Sequence, residues 1–145
     1  ITNFSALVVA LVQKQWTRFE ELLQMVMMNS FSYFDITMED EKIYHVFMIG
    51  LLSILQGEYY IHSNRESGLG RYDISIEPKD SKKSGFILGF KVAKSEEELE
   101  KKAKEALGQI QEKKYDMEMK ERGITNIVTL GIAFYGKKVK VSSNL

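Results

Sequence analysis

An acid and a lysine, Asp73 and Lys91, stand near the ends of two apolar stretches of strand length. Alternation in the first puts Asp73, Ser75 and Glu77 on one face and Ile74 and Ile76 on the other. In the second, Ile87, Gly89 and Lys91 share a face opposite Phe86, Leu88, Phe90 and Val92. Pairing through the polar turn 79–85 would bring Asp73 toward Lys91 on one surface. A carboxylate and a lysine so placed are the parts needed to hold a divalent cation and orient a water for hydrolysis. Glu41 is a third candidate. It precedes Tyr44 by three residues and Met48 by seven, which puts it on the inward stripe of a helix, where a carboxylate needs a cationic partner. Read alone, Glu41 is more simply a first-turn acid favoured by the helix dipole. His45, one turn later, reads as a core or surface histidine. Lys91 alone reads as a strand-end lysine reaching solvent.

Composition narrows the chemistry further. The 145 residues include no cysteine, two histidines and one proline. Thiolate zinc sites, disulfide scaffolds and Cys nucleophiles are therefore excluded, and no H-E-x-x-H stands in the chain. A metal here would be held by oxygens, which suits Mg²⁺, Mn²⁺ or Ca²⁺. Twenty basic residues balance twenty acidic ones, which argues against coating nucleic acid by bulk charge and leaves room for a local basic groove. The first charged residue is Lys14, and the uncharged stretch before it is too short to span a bilayer and lacks a basic leader. No membrane association is expected. The absent cysteines fit a cytoplasmic location. The start at Ile1 suggests a piece of a longer protein.

The elements that must position these residues follow from periodicity. Residues 3–29 read as helical with a break near Gln15–Arg18. Thr37 and Asp40 have capping-box spacing and open a helix bearing Tyr44, Phe47, Met48, Leu51, Leu52 and Leu55, ended by Gly57. Strands are predicted over 59–62, 72–77, 86–92, 127–134 and 139–141. Ser95 and Glu98 give a second capping-box spacing, and Leu99, Ala103, Ala106, Leu107 and Ile110 form a helical stripe to about Tyr115. A short helical turn ends at Arg122-Gly123. The expected fold is one α/β (α+β) layer domain, residues 37–145, preceded by a helical extension, residues 1–36, packed on it.

The sequence also resembles a known family. Tyr44-His45, the run Ser63-Asn64-Arg65-Glu66-Ser67-Gly68-Leu69-Gly70-Arg71-Tyr72-Asp73, Pro78-Lys79-Asp80 and Phe90-Lys91-Val92 carry it. Ala106-Leu107, Gln109-Ile110, Lys113-Lys114-Tyr115, Gly123-Ile124, Gly131-Ile132-Ala133-Phe134 and Gly136-Lys137 continue it in order. Together these resemble the PD-(D/E)XK nuclease-superfamily domain found C-terminal to bacterial AAA-ATPase-like domains. The resemblance implies a restriction-endonuclease-like αβββαβ core around a mixed sheet, and Mg²⁺- or Mn²⁺-dependent cleavage of nucleic acid, DNA ahead of RNA. It assigns Asp73 and Glu41 as metal ligands with the Phe90 carbonyl, Lys91 as the catalytic lysine, and Gln109 as a match to the family's Q-I element. Gln111 and Tyr115 resemble a Q-x-x-x-Y pair.

One departure stands out. The family's E-F-K glutamate is replaced by Gly89, which has no side-chain oxygen. Glu77 is no substitute, because it lies roughly 13 Å from Asp73 along the strand. Arg65, Arg71 and Lys79 are expected to contact phosphates, which adds affinity without sequence preference. An AAA-ATPase-like domain in the same full-length chain is the implied partner, and a homodimer is a further expectation. Two functions are therefore expected: a metal-dependent nuclease weakened or silenced by Gly89, or a non-catalytic module on the same fold that binds nucleic acid or a partner protein.

Overall fold

In the computed structural model, residues 3–30, 41–63, 73–113 and 116–144 are described. Two helices open the chain, α1 (Asn3–Val12) and α2 (Trp16–Ser30). The break between them falls at 13–15, just ahead of the expected position. Lys14 adopts a left-handed φ of 60°, and the Gln15 N–H donates to the Ala10 carbonyl at 2.9 Å. Helix α3 (Glu41–Leu52) follows and tightens into a 3₁₀ segment, Ser53–Gly57, so Gly57 ends the helical stretch as expected. The Thr37–Asp40 spacing and the proposed boundary at residue 36 lie outside the described residues.

Among the described residues five strands form one sheet: β1 (Tyr59–Ser63), β2 (Ile74–Pro78), β3 (Gly85–Val92), β4 (Ile127–Tyr135) and β5 (Lys138–Ser143). They lie side by side in sequence order. The β1–β2, β2–β3 and β4–β5 steps are antiparallel, and β3–β4 is parallel. A parallel step needs a crossover, and α4 (Leu99–Lys113) with the short α5 (Met117–Glu121) supplies it. The result is the mixed sheet with helices on both faces that the sequence implied.

Strand parity decides which helices cover which face. Ile74, Ile76, Phe86, Leu88, Phe90, Ile132 and Phe134 pack with α1, α2 and α3 in the main core. On the reverse face Ile87 meets Ile110, Met119 and Ile124, while Ala133 meets Leu99 and Ala103. Helix α4 starts without the expected Ser95 cap. The Ser95 hydroxyl makes no cap bond; instead the Glu98 carboxylate accepts the Lys94 N–H at 3.2 Å, and Glu96–Glu98 form a 3₁₀ turn. Gly123, at φ 91°, closes α5 as the Arg122-Gly123 pair predicts, and Gly136, at φ 58°, turns the β4–β5 hairpin. Among the described residues no helix is long and apolar enough to cross a membrane.

Candidate active site

The site is built at the end of the sheet where β1 finishes and β2 begins. Ser63, the last residue of β1, pairs with Ile74, the first of β2. The two ends of the run 63–73 are therefore side by side. Asp73 sits one residue outside the ladder. Its N–H donates to the Leu88 carbonyl at 2.8 Å, and its Oδ2 accepts the Phe90 N–H at 2.8 Å. The carboxylate thus does in the sheet plane what a further β2 carbonyl would do, holding β3 at the residue before Lys91. Its other oxygen is 3.9 Å from Nδ1 of His45 on α3.

His45 is a buried histidine, one of the two readings its sequence position allowed, and it does more than fill space. It is only 4% exposed, its Nε2 shares a 2.6 Å hydrogen bond with Ser63 Oγ, and its ring stands edge-on to Phe90 at 6.0 Å. One side chain therefore touches both ends of the 63–73 run. Its neighbour Tyr44 stacks on Phe134 at 4.4 Å and donates its hydroxyl hydrogen to the Gly136 carbonyl at 2.8 Å. Burial raises the Tyr44 pKa. The Tyr44-His45 pair locks α3 to both ends of the sheet's width. The available signal was their place in the family pattern.

Glu41 is not on the inward stripe. It begins α3 and is exposed, as is Lys42, while the buried face is formed by Tyr44, His45, Met48, Leu51 and Leu52. Packing on the core begins only at Ile43 and Tyr44, so a helical spacing that is correct from there on does not bury Glu41. Lys91 is half-buried in β3, on the face of Gly89, and has no ion-pair partner among the described residues. The expected meeting of Asp73 and Lys91 on one surface is altered, because Asp73 lies beyond the regular ladder and turns toward α3. Gln109 is exposed on α4, next to Ile110, which packs over Gly89. Arg65 and Arg71 fall outside the described residues, as do the side chains of Gln111 and Tyr115.

Gly89 has a structural reason. It pairs directly with Gly131 across the parallel β3–β4 step. A Cβ on Gly89 would lie 3.0 Å from Ile110 Cδ1 and 3.3 Å from the Ala106 carbonyl. A Cβ on Gly131 would fall on the Ala103 carbonyl and 2.5 Å from the Leu107 nitrogen. The two glycines form a floor on which the α4 backbone sits. Helix α4 therefore occupies the space into which a side chain at position 89 would extend.

Glu77 is committed elsewhere. It is 8% exposed, and Arg122 grips it through Nε at 2.9 and 3.0 Å and Nη2 at 2.7 Å. That clamp fastens the end of α5 to β2. The carboxylate holds the Arg122 pKa above its ordinary value. Lys79 follows β2 at the end opposite Asp73, six residues and about 20 Å away at strand rise.

A family model described as the PD-(D/E)XK nuclease superfamily matches residues 39–144, and the chain belongs to that superfamily. No curated protein and no solved structure matches it. Membership and the mixed sheet agree with the expected restriction-endonuclease-like core. Among the described residues the divalent-metal centre that the resemblance implies is not assembled. Among them, no three His, Asp or Glu side chains cluster to hold an ion. Asp73 already accepts a backbone N–H, Gly89 offers no oxygen from its side chain, and Glu41 faces solvent. The Phe90 carbonyl would be left with Asp73 alone.

Proposed function

We propose that this nuclease-superfamily domain binds nucleic acid, DNA ahead of RNA, at the sheet end carrying Asp73 and Lys91, and cleaves it weakly or not at all. The observation that carries the reading is Gly89 beneath Ile110 and Ala106. The position that should supply a second carboxylate instead seats a helix, so a Mg²⁺ there would have Asp73 and the Phe90 carbonyl from the described residues and would take the rest of its shell from water and substrate phosphate, a weaker hold than two carboxylates give. Binding is supported by Lys91, which no acid neutralises among the described residues. Exposed Lys94 and Lys138 belong to the same end, after β3 and at the start of β5. Lysines so placed contact phosphates without reading sequence. The family resemblance further supports an AAA-ATPase-like domain in the full-length protein as the partner of this module.

The test is a gel shift at low salt beside a cleavage assay with Mg²⁺ or Mn²⁺. Binding that weakens with salt and with Lys91→Ala, without strand scission, is the expected result. Efficient metal-dependent cleavage abolished by Asp73→Ala would overturn it in favour of an active nuclease. Failure to bind any DNA or RNA would overturn the binding itself.

A further inference from the structure

The sheet face that carries α4 is only partly roofed. Helix α4 packs on β3, β4 and β5. Strand β1 is the sheet edge, and its register puts Tyr60 opposite Glu77 and His62 opposite Ser75. Directly opposed residues share a face, so Tyr60 and His62 lie on the α4 side, beyond the helix. Tyr60 is 52% exposed and His62 is exposed. Their rings lie 6.5 Å apart at 25°, close to parallel. Lys79 Nζ stands 5.2 Å from the Tyr60 ring centroid.

These are unusual residues to leave open on an edge strand. A half-exposed tyrosine near-parallel to a histidine, with a lysine over one ring, offers flat π-faces and one cation. The nearby acids are already engaged. Glu58 pairs with Lys83 at 3.3 Å, Asp80 accepts the Lys82 N–H at 3.0 Å, and Glu77 is held by Arg122. Lys79 has no acid partner among the described residues. Arg122 is spent on Glu77 and has Glu118 and Glu121 nearby, so it adds little. The strip also has a direction. Beyond His62 comes Ser63, bonded to His45 beside Asp73.

We propose that this strip is a docking site for single-stranded nucleic acid: bases stack on Tyr60 and His62, a phosphate meets Lys79, and the strand leads toward Asp73. The inference rests on the nucleic-acid reading above and names its substrate class. A single strand is the occupant because stacking needs base faces that a duplex buries, and every base has such a face. A duplex would instead need a broad basic surface, which the described residues here do not present: beside the strip only Lys79 and Lys82 lack an acid partner among them, in a chain of zero net charge.

The test is fluorescence anisotropy of the whole chain with labelled oligothymidine and, separately, an oligoadenine–oligothymidine duplex. The wild type should bind the single strand more tightly. Tyr60→Ala should weaken that binding about tenfold, as loss of one stacking partner does. Tyr60→Phe, which keeps the ring, should bind as the wild type does. Lys79→Ala should flatten the salt dependence. Tyr60→Ala binding at wild-type strength, or Tyr60→Phe failing as badly as Tyr60→Ala, would overturn the strip. A preference for duplex would also overturn it while leaving the broader binding proposal intact. No binding to either probe would overturn both.

Discussion

The Phe90 N–H donates to Asp73 Oδ2 at 2.8 Å, so the acid that the resemblance assigns to the metal site is a structural splice between β2 and β3. Phe90 is 4% exposed. Asp73→Ala should leave that donor without a partner and cost about 1–3 kcal/mol, whereas Asp73→Asn keeps an acceptor oxygen and should cost less. Urea denaturation would measure both, and amide hydrogen exchange at Phe90 should speed up in the alanine variant alone. An inactive Asp73→Ala variant therefore needs Asp73→Asn beside it before any chemical role is assigned.

The paired glycines under α4 make a second prediction. Gly131→Ala should be the more damaging change, because its Cβ meets backbone at Ala103 and Leu107. Gly89→Ala meets mainly the tip of Ile110, which can yield. Overpacking of this kind costs about 1–3 kcal/mol, and Gly131 should stand at the top of that range or above it. Gly89→Glu should lower the denaturation midpoint and gain little metal affinity, since the longer side chain must push Ile110 aside and pass the Ala106 carbonyl. Calorimetric titration with Mn²⁺ would check this.

The Glu77–Arg122 clamp predicts non-additivity. Arg122→Ala strands a buried carboxylate on β2 and should lower the denaturation midpoint clearly. Replacing Glu77 with Gln in the same chain should recover part of the loss, because a neutral amide tolerates burial better. A double-mutant cycle reads the coupling directly. Losses in the double variant equal to the sum of the two single losses would contradict the clamp.

Alkaline pH should destabilise the domain through Tyr44 and Tyr59. Burial raises both pKa values above the ordinary 10.0. The folded state then holds protons that the unfolded state has released. The stability these neutral phenols contribute is complete below pH 10.0 and falls as pH rises beyond it. Tyr44→Phe should be less stable at neutral pH, having lost the bond to Gly136, and should lose less on going alkaline. Denaturation midpoints across that pH range would show the crossing trends.

Much of the architecture could be read from periodicity alone. The change from helical stripes to alternation near Tyr59, and back near Ser95, follows the α3–β1 and β3–α4 boundaries. The site was read less well, for local reasons. Parity placed Ser75 and Glu77 correctly because they lie inside the ladder. It misplaced Asp73, which lies one residue beyond it. Helical spacing put Glu41 inward because it assumes the helix touches the core along its whole length. His45 looked ordinary because a histidine's partners, here Ser63 and Asp73, come from distant strands that no spacing rule connects. Gly89 looked like a missing ligand, and only its neighbour Gly131 shows it to be part of a helix seat.

The opposite edge of the sheet has its own arrangement. Among the described residues strand β5 has no sixth strand beside it, yet its outer N–H groups are not left bare. Gln24 Oε1 accepts the Val139 N–H at 2.9 Å, and Glu20 Oε2 accepts the Val141 N–H at 3.2 Å. Gln24 also donates to the Lys137 carbonyl at 2.5 Å. One turn of α2 thus serves as the missing neighbour, using side chains where a strand would use backbone. A fragment trimmed to the family-matched residues would lose this cover. It would present a raw β edge above an opened core, the geometry from which sheets recruit other chains and precipitate.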